Sequence, residues 1–415
     1  MYITGVTINN FRCYEATSVK FVYPDANKAD PKPKFPNITL LLGNNGTGKS
    51  AILKACVLGT LNRSLPSSGF RPYYLVRRTS GADIPNANAS IDVDLVLHWQ
   101  DSYPTPPSGW EFEQPSHAVG QTIIQRTVSQ ESVVSTAQVN DPLWQGLFDD
   151  KSPAFFIVAY GANRRVEQSD FNPSTRDKSR SVRYQRVASL FEEYYELIPA
   201  ATCIQTAAQT NRLEEFENIV AKLLPDDVKF QAAAVDVNFV VRGTTLPFGA
   251  LSDGYREFIG WIFDLCYHLM QAAPVGTPLY DVRGVVLIDE IDLFLHPEWQ
   301  RVVLSSVTSA FPNLQFICSS HSPILAGSVE SVNTLITQVD PVQNATTVIQ
   351  PNASIYGLSA DQILTSAYFG LATTRAPGAE EGLDEIAKRA WAGDDSAALE
   401  YLQRLAHGFE PTSQK

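Results

Sequence analysis

At 415 residues, with 44% hydrophobic and 18% charged side chains, the chain has the make-up of a folded globular protein with core enough for two lobes. A formal net charge of −12 excludes a protein coated over its whole surface by nucleic acid and leaves room only for a local basic groove. The five cysteines, Cys13, Cys56, Cys203, Cys266 and Cys318, form no C-x-x-C pair and have no zinc spacing, so buried free thiols in a reducing compartment are expected.

The N-terminal stretch MYITGVTINNFRCYEA is polar where a secretory peptide has its apolar core. Ile38 to Leu42 predicts a buried strand, and AILKACVLGTL from Ala51 predicts a helix. Between them Gly43, Asn44, Asn45, Gly46, Thr47, Gly48, Lys49 and Ser50 fit G-x-x-x-x-G-K-[ST] in the strand–loop–helix setting that this pattern requires. Glycines let the backbone curl so that its amides face phosphate oxygens, and the helix that Ala51 opens adds its positive end. Lys49 is expected to reach the β- and γ-phosphates of ATP, and the Ser50 hydroxyl to bind Mg2+.

Ile91 to Trp99 alternates like a half-buried strand, and Gln121 to Val134 reads similarly, so 85–160 predicts a β-rich addition; Pro and Ser at 103–118 predict a surface loop. Ala154 to Tyr160 is a further apolar strand. The stretch 164–186 holds seven basic residues against three acidic ones, a candidate contact for a nucleic-acid backbone, or equally a solvated loop or a dock for an acidic partner. From Val187 to Leu224 the spacing turns helical, with Leu213, Phe216, Val220 and Leu223 on one face and Pro225 closing it; an assembly surface and internal packing fit this arm equally.

Further on, LSDGYREF suggests a helix capped by Ser252, followed by Asp253 and by Gly254, which lets backbone approach a bound group. That helix end is a second anion site, and two such sites in one chain suggest a head-to-tail pair with ATP between protomers. The longest apolar run, Phe258 to Met270, is interrupted by Asp264 and His268, so no membrane span is expected. Val285 to Ile288 predicts a strand ending in Asp289, a Mg2+ ligand, and Glu290, a carboxylate placed to polarise water. Leu314 to Ser319 predicts another, ending in SSHSP, where His321 lies on the sheet edge that binds ligands. A capping-box helix starts near Ser359, and further helical stretches run to Gly408. Neither the Glu and D-x-D set of a TOPRIM nuclease nor an HNH-like cluster is visible.

GNNGTGKS, LSDGYRE, VVLIDEIDLFLHP and SSHSP, in this order, resemble the ABC-type ATPase heads of the SMC/RecF class, and ITGVTINNFRCYEATSVKF resembles their first strands. The resemblance implies an α/β P-loop fold, a mixed sheet flanked by helices with a β-rich lobe, a helical insertion and a helical C-terminal tail. It also implies roles: Gly43–Ser50 as Walker A, Leu251–Gly254 as signature, Asp289 and Glu290 as Walker B, His321 as switch histidine, and Arg12 as an N-terminal arginine near the nucleotide. The IDLFLHP wording is shared with OLD-type ATPases, and no glutamine suits the Q-loop, leaving Asn163 or an arginine for that place. On this basis the chain divides into a first ATPase lobe (1–160), a basic loop and helical insertion (161–234), a second lobe (235–340) and a helical region (341–415). AYGANRR, LHPEWQ and ILTSAYFGLATTR resemble the antiphage-defence ATPases of Septu systems and their retron-linked relatives. This implies a cytoplasmic, Mg2+-dependent ATPase that dimerises and licenses a separate effector such as an HNH nuclease. A RecF-type repair ATPase acting on DNA and a tight ATP-binding scaffold that restrains a toxin are the alternatives.

Overall fold

The most apolar segments of the sequence become the strands of one sheet. The computed structural model describes residues 1–26, 33–78, 87–101, 116–128, 130–134, 142–166, 180–225, 227–232, 237–340, 344–366, 368–374 and 381–407. Within them, six strands lie in the order Ala345–Ile349, Thr334–Asp340, Ile38–Leu42, Leu314–Ser319, Gly284–Ile288, Ile157–Tyr160. All neighbours run parallel except the outer pair, Thr334–Asp340 with Ala345–Ile349, which is an antiparallel hairpin. Every residue of Ile38–Leu42, Gly284–Ile288, Leu314–Ser319 and Ile157–Tyr160 is buried, as parallel strands covered on both faces demand. The parallel register brings the loops after Leu42, Ile288 and Ser319 to one edge, where an open α/β sheet binds ligands.

A second, antiparallel sheet has the order Tyr14–Lys20, Tyr2–Phe11, Asn88–Leu97, Ser116–Arg126, Glu131–Val134. It joins the N-terminal hairpin to the β-rich addition. The segment Gln121 to Val134 is therefore two strands and not one, and the first of them begins at Ser116, inside the expected surface loop; 102–115 lie outside the described residues. Helix Lys49–Leu61 packs against strands of both sheets and is apolar nearly all round, which is why its pattern lacks a polar face. Cys56, Cys203, Cys266 and Cys318 are buried free thiols, and Cys13 is half-buried and free.

Helices Ala200–Gln209 and Leu213–Leu223 pack on the long helix Asp253–Ala272, together with a small sheet of Val228–Ala232, Val237–Val241 and Thr244–Pro247. Phe216, Phe230, Phe239, Phe248 and Phe263 form the joint, with ring centroids 4.9–6.3 Å apart. Phe216, Ile219, Val220 and Leu223 are the buried face of the arm, so that face is spent on internal packing.

The chain forms two compact units, Met1–Ala360 and Asp361–Lys415. Ala345–Ile349 completes the main sheet, so the helical region starts later than residue 341. In the second unit, helices Glu381–Trp391 and Asp395–His407 form a hairpin. Asp394 caps the second helix by accepting from the amides of Ser396 and Ala397 at 3.1 and 3.0 Å, and Arg389 holds it from the other side at 2.7 Å. No helix among the described residues is long and apolar enough to cross a membrane.

Candidate functional site

The loop after Ile38–Leu42 turns through three glycines with φ of +145°, +79° and +93° at Gly43, Gly46 and Gly48. At Gly48 a side chain would run into Cys13 and Tyr14 of the N-terminal hairpin, so this glycine is needed for close approach as well as for its dihedral. Thr47 donates to the Asn44 carbonyl at 2.7 Å, and its hydroxyl lies 2.6 Å from that of Thr337 on the neighbouring strand. Lys49 is 5% exposed, and its ammonium donates to the carbonyls of Gly43 and Asn44 at 2.9 and 3.0 Å and so draws the loop into a ring. Burial depresses the pKa of Lys49, while the charges of Asp289, Glu290 and Asp292 oppose that shift.

The next two strands bring in the carboxylates. Asp289 continues the ladder by donating its amide to Tyr160 at 2.8 Å. The Ser319 hydroxyl donates to Asp289 Oδ1 at 2.5 Å and accepts from the Glu290 amide at 2.8 Å. Arg164, buried behind the same turn, donates to the carbonyls of Gly161, Asp289 and Glu290 at 3.0, 2.9 and 3.1 Å. Between these two clamps Glu290 has a φ of +51°, a left-handed conformation that costs a non-glycine residue about 1–3 kcal/mol and is kept only where the surroundings impose it. Burial first, then the charges of Asp289 and Asp292, raise the pKa of Glu290; Lys49 and Arg164 pull it back. Burial and the Lys49 charge lower the pKa of His321, favouring the neutral imidazole with a single N–H to donate.

These pieces surround one cavity of about 430 Å³, a size suited to a nucleotide-sized ligand. Asn45, Gly46, Gly48, Lys49, Ser50, Ala51, Asp289, Glu290, His321 and Arg12 line it. Gly43, Asn44 and Thr47 shape the loop from behind and do not line the cavity. Arg12 has a φ of +50°, and its buried Nε has no hydrogen-bond partner among the described residues. Ser50 and Asp289 offer one hydroxyl and one carboxylate oxygen not taken by Ser319, a donor set that fits a Mg2+ ion held otherwise by phosphate and water.

Ser252, Asp253 and Gly254 lie elsewhere. Ser252 and Gly254 line a separate cavity with Tyr255, Phe294 and Trp299. Ser252 stands at the N-cap of helix Asp253–Ala272 but makes no side-chain capping bond, contrary to the expectation that it caps this helix. A side chain at Gly254 would press on the Phe294 carbonyl.

Sequence reasoning missed Ser319 and the Tyr74–Arg78 edge of the cavity, where the guanidinium stacks 3.9 Å over the ring. Neither Asn163 nor Arg164 is among the residues that line the cavity. The basic stretch also changes meaning. Arg164, Arg180, Arg183 and Arg186 are buried; Arg183 alone donates to five carbonyls, including those of Gly146, Ala154 and Ser152 at 2.5, 2.6 and 3.2 Å. Arg164, Arg183 and Arg186 thus serve the fold and are withdrawn from an outside phosphate, whereas Arg180 pairs with Glu192 at the wall of a second cavity; 167–179, with Arg176 and Lys178, lie outside the described residues.

Ser319→Ala removes both bonds of the hydroxyl and strands the partly buried Glu290 amide, a loss of about 1–3 kcal/mol in thermal or denaturant unfolding. A turnover undiminished in this variant would show that the clamp does not position Glu290.

The chain is 24% identical to the Septu protein PtuA of Bacillus mycoides, over 90% of this chain and 45% of that protein. It is 31% identical to the Retron Vc95 probable ATPase of Vibrio cholerae, over 34% of this chain and 27% of that one. It therefore spans less than half the length of either relative. Among solved structures, the SMC head domain from Thermotoga maritima aligns with a TM-score of 0.45 and 12% identity, over 85% of this chain and 100% of that one. The profile of an AAA ATPase domain matches residues 1–63. A second profile, described as "AAA domain, putative AbiEii toxin, Type IV TA system", matches residues 117–327, and since that is more than half of the chain, the protein belongs to this AAA-domain family.

Proposed function

We propose that the protein is an ATPase that binds Mg2+ and ATP in the cavity over the glycine loop and hydrolyses the nucleotide there. The observation that carries the reading is convergence: Lys49, Ser50, Asp289, Glu290 and His321 come from three separate strand ends and face one cavity. In this reading the loop amides and Lys49 hold the phosphates, Glu290 draws a proton from the attacking water, and His321 donates to the γ-phosphate. Bound Mg2+ supplies neutralising charge on the phosphate oxygens. Similarity to Septu PtuA and to a retron ATPase supports a place in an antiphage defence system, with nucleotide-dependent dimerisation controlling a separate nuclease or other effector chain.

The helix end at Ser252 lines a different cavity from the glycine loop, which is compatible with a site completed by the neighbouring protomer. Mixing equal amounts of Lys49→Ala and Ser252→Arg chains tests this. In a two-fold dimer, mixing restores about one quarter of wild-type turnover, because half of the dimers are mixed and each holds one intact site. No recovery, with both variants still dimerising, overturns the shared site. Stimulation by DNA would instead favour the repair reading, and ATP binding without turnover would favour the scaffold.

A further inference from the structure

We propose that a second cavity beside the nucleotide pocket, lined by Arg12, Lys54, Arg71 and Arg180, binds a small phosphate-bearing anion of pyrophosphate or mononucleotide size. The cavity has about 520 Å³, within the range of small-ligand sites. Lys54 stands one turn along helix Lys49–Leu61 from Ser50, and Arg12 lines both cavities. In a chain of net charge −12, four cations meet here with a single carboxylate, Glu192.

That carboxylate is already engaged. Arg180 pairs with Glu192 at 2.9 and 3.0 Å, and the Tyr184 hydroxyl donates to it at 3.1 Å. None of the described carboxylates pairs with Arg12, Lys54 or Arg71, and the buried Arg12 Nε has no acceptor among the described residues. Arg12 and Lys54 are half-buried, Arg180 is buried and Arg71 is exposed, and neighbouring cations taken partly out of water are unfavourable unless an anion joins them. Burial, then the Arg12 charge, push Lys54 down to about 8, with Asp289 pulling the other way. Arg71, Arg180 and Glu192 also line the cavity with Lys54, and the Phe191 ring lies 5.8 Å from its ammonium. Guanidinium forks beside a compact ammonium match the oxygens of a phosphate group.

The test uses the full chain loaded with Mg2+ and the non-hydrolysable analogue AMPPNP, so that the first site is filled. Calorimetric titration with pyrophosphate, and separately with AMP, is expected to give one further saturable site per chain. Binding of pyrophosphate alone identifies an inorganic source, and binding of AMP a nucleotide; either supports the proposal. Lys54→Gln and Arg71→Gln are each expected to weaken that site by about tenfold and to leave AMPPNP affinity unchanged. The anion holds Lys54 protonated, so wild-type affinity relative to Lys54→Arg should fall by about tenfold between pH 7 and 9. Two results overturn the proposal: no saturable uptake by the loaded chain, or an equal loss of AMPPNP binding in Lys54→Gln, which would make the cavity the outer half of the nucleotide site. Should AMPPNP fail to load, the ATPase reading falls, and pyrophosphate titrated into the Lys49→Ala chain still decides the second site.

Discussion

Glu290→Gln is expected to lower ATP turnover by about 10²–10⁴-fold, the usual contribution of a general base, while ATP affinity is retained. The phosphate contacts of this reading come from the glycine loop, Lys49 and His321, and Gln keeps the size of the side chain, so only the proton acceptor is lost. Two pH signatures accompany the loss. Burial together with the Asp289 and Asp292 charges raises the folded-state pKa of Glu290. A base works only when ionised, so the acidic limb of wild-type turnover should lie above the ordinary glutamate range and vanish in the variant. The sign for stability follows from linkage. A carboxylate with a raised folded pKa binds its proton more tightly in the folded state, so stability is fully present at low pH and is lost as pH rises through the raised value. At neutral pH the ionised Glu290 is therefore a load that Gln removes. The variant should melt at or above the wild-type temperature at pH 7, and the difference should close below about pH 4, where glutamate is protonated in both states. Unchanged turnover, or a melting temperature lowered at pH 7, would remove Glu290 from the proposed role.

Much of this site was legible in the sequence because its parts carry local signals. A glycine loop between a buried strand and a helix, two acids after an apolar strand, and a histidine after another are each visible within ten residues, and the parallel sheet alone brings them together. What stayed hidden depends on partners far away in sequence. Ser319 looks like the end of a strand until Asp289 and the Glu290 amide are seen at its hydroxyl, 30 and 29 residues off. The basic stretch misled for the same reason. Charge counting assigns Arg180, Arg183 and Arg186 to solvent, whereas backbone carbonyls, Glu192 and the Phe156 ring take them inside. The five-stranded sheet was half visible: alternation marked Ile91–Trp99 and Gln121–Val134, but nothing local joined the N-terminal hairpin to Asn88–Leu97, or marked the turn between Arg126 and Glu131.

Arg164→Met should be among the most damaging single changes outside the cavity lining. The side chain is 4% exposed and holds three backbone carbonyls, two of them on the Asp289–Glu290 turn that carries the strained φ. Its charge also sits among Glu257, Asp289, Glu290 and Asp292, which oppose the effect of burial on its pKa. Removing it leaves two turn carbonyls without their donor and a group of acids without their cation, a loss of about 3–5 kcal/mol in unfolding free energy. Arg164→Lys keeps the charge but loses the planar fork, so it should fold and yet hold the turn less well. That variant separates positioning from mere stability. If Arg164 acts by setting Glu290, Arg164→Lys lowers kcat with little change in ATP affinity, and adding it to Glu290→Gln costs almost nothing further, because the base it positions is already gone. Additive losses across that cycle would reduce Arg164 to a structural cation, and wild-type melting and turnover in Arg164→Met would deny it either role.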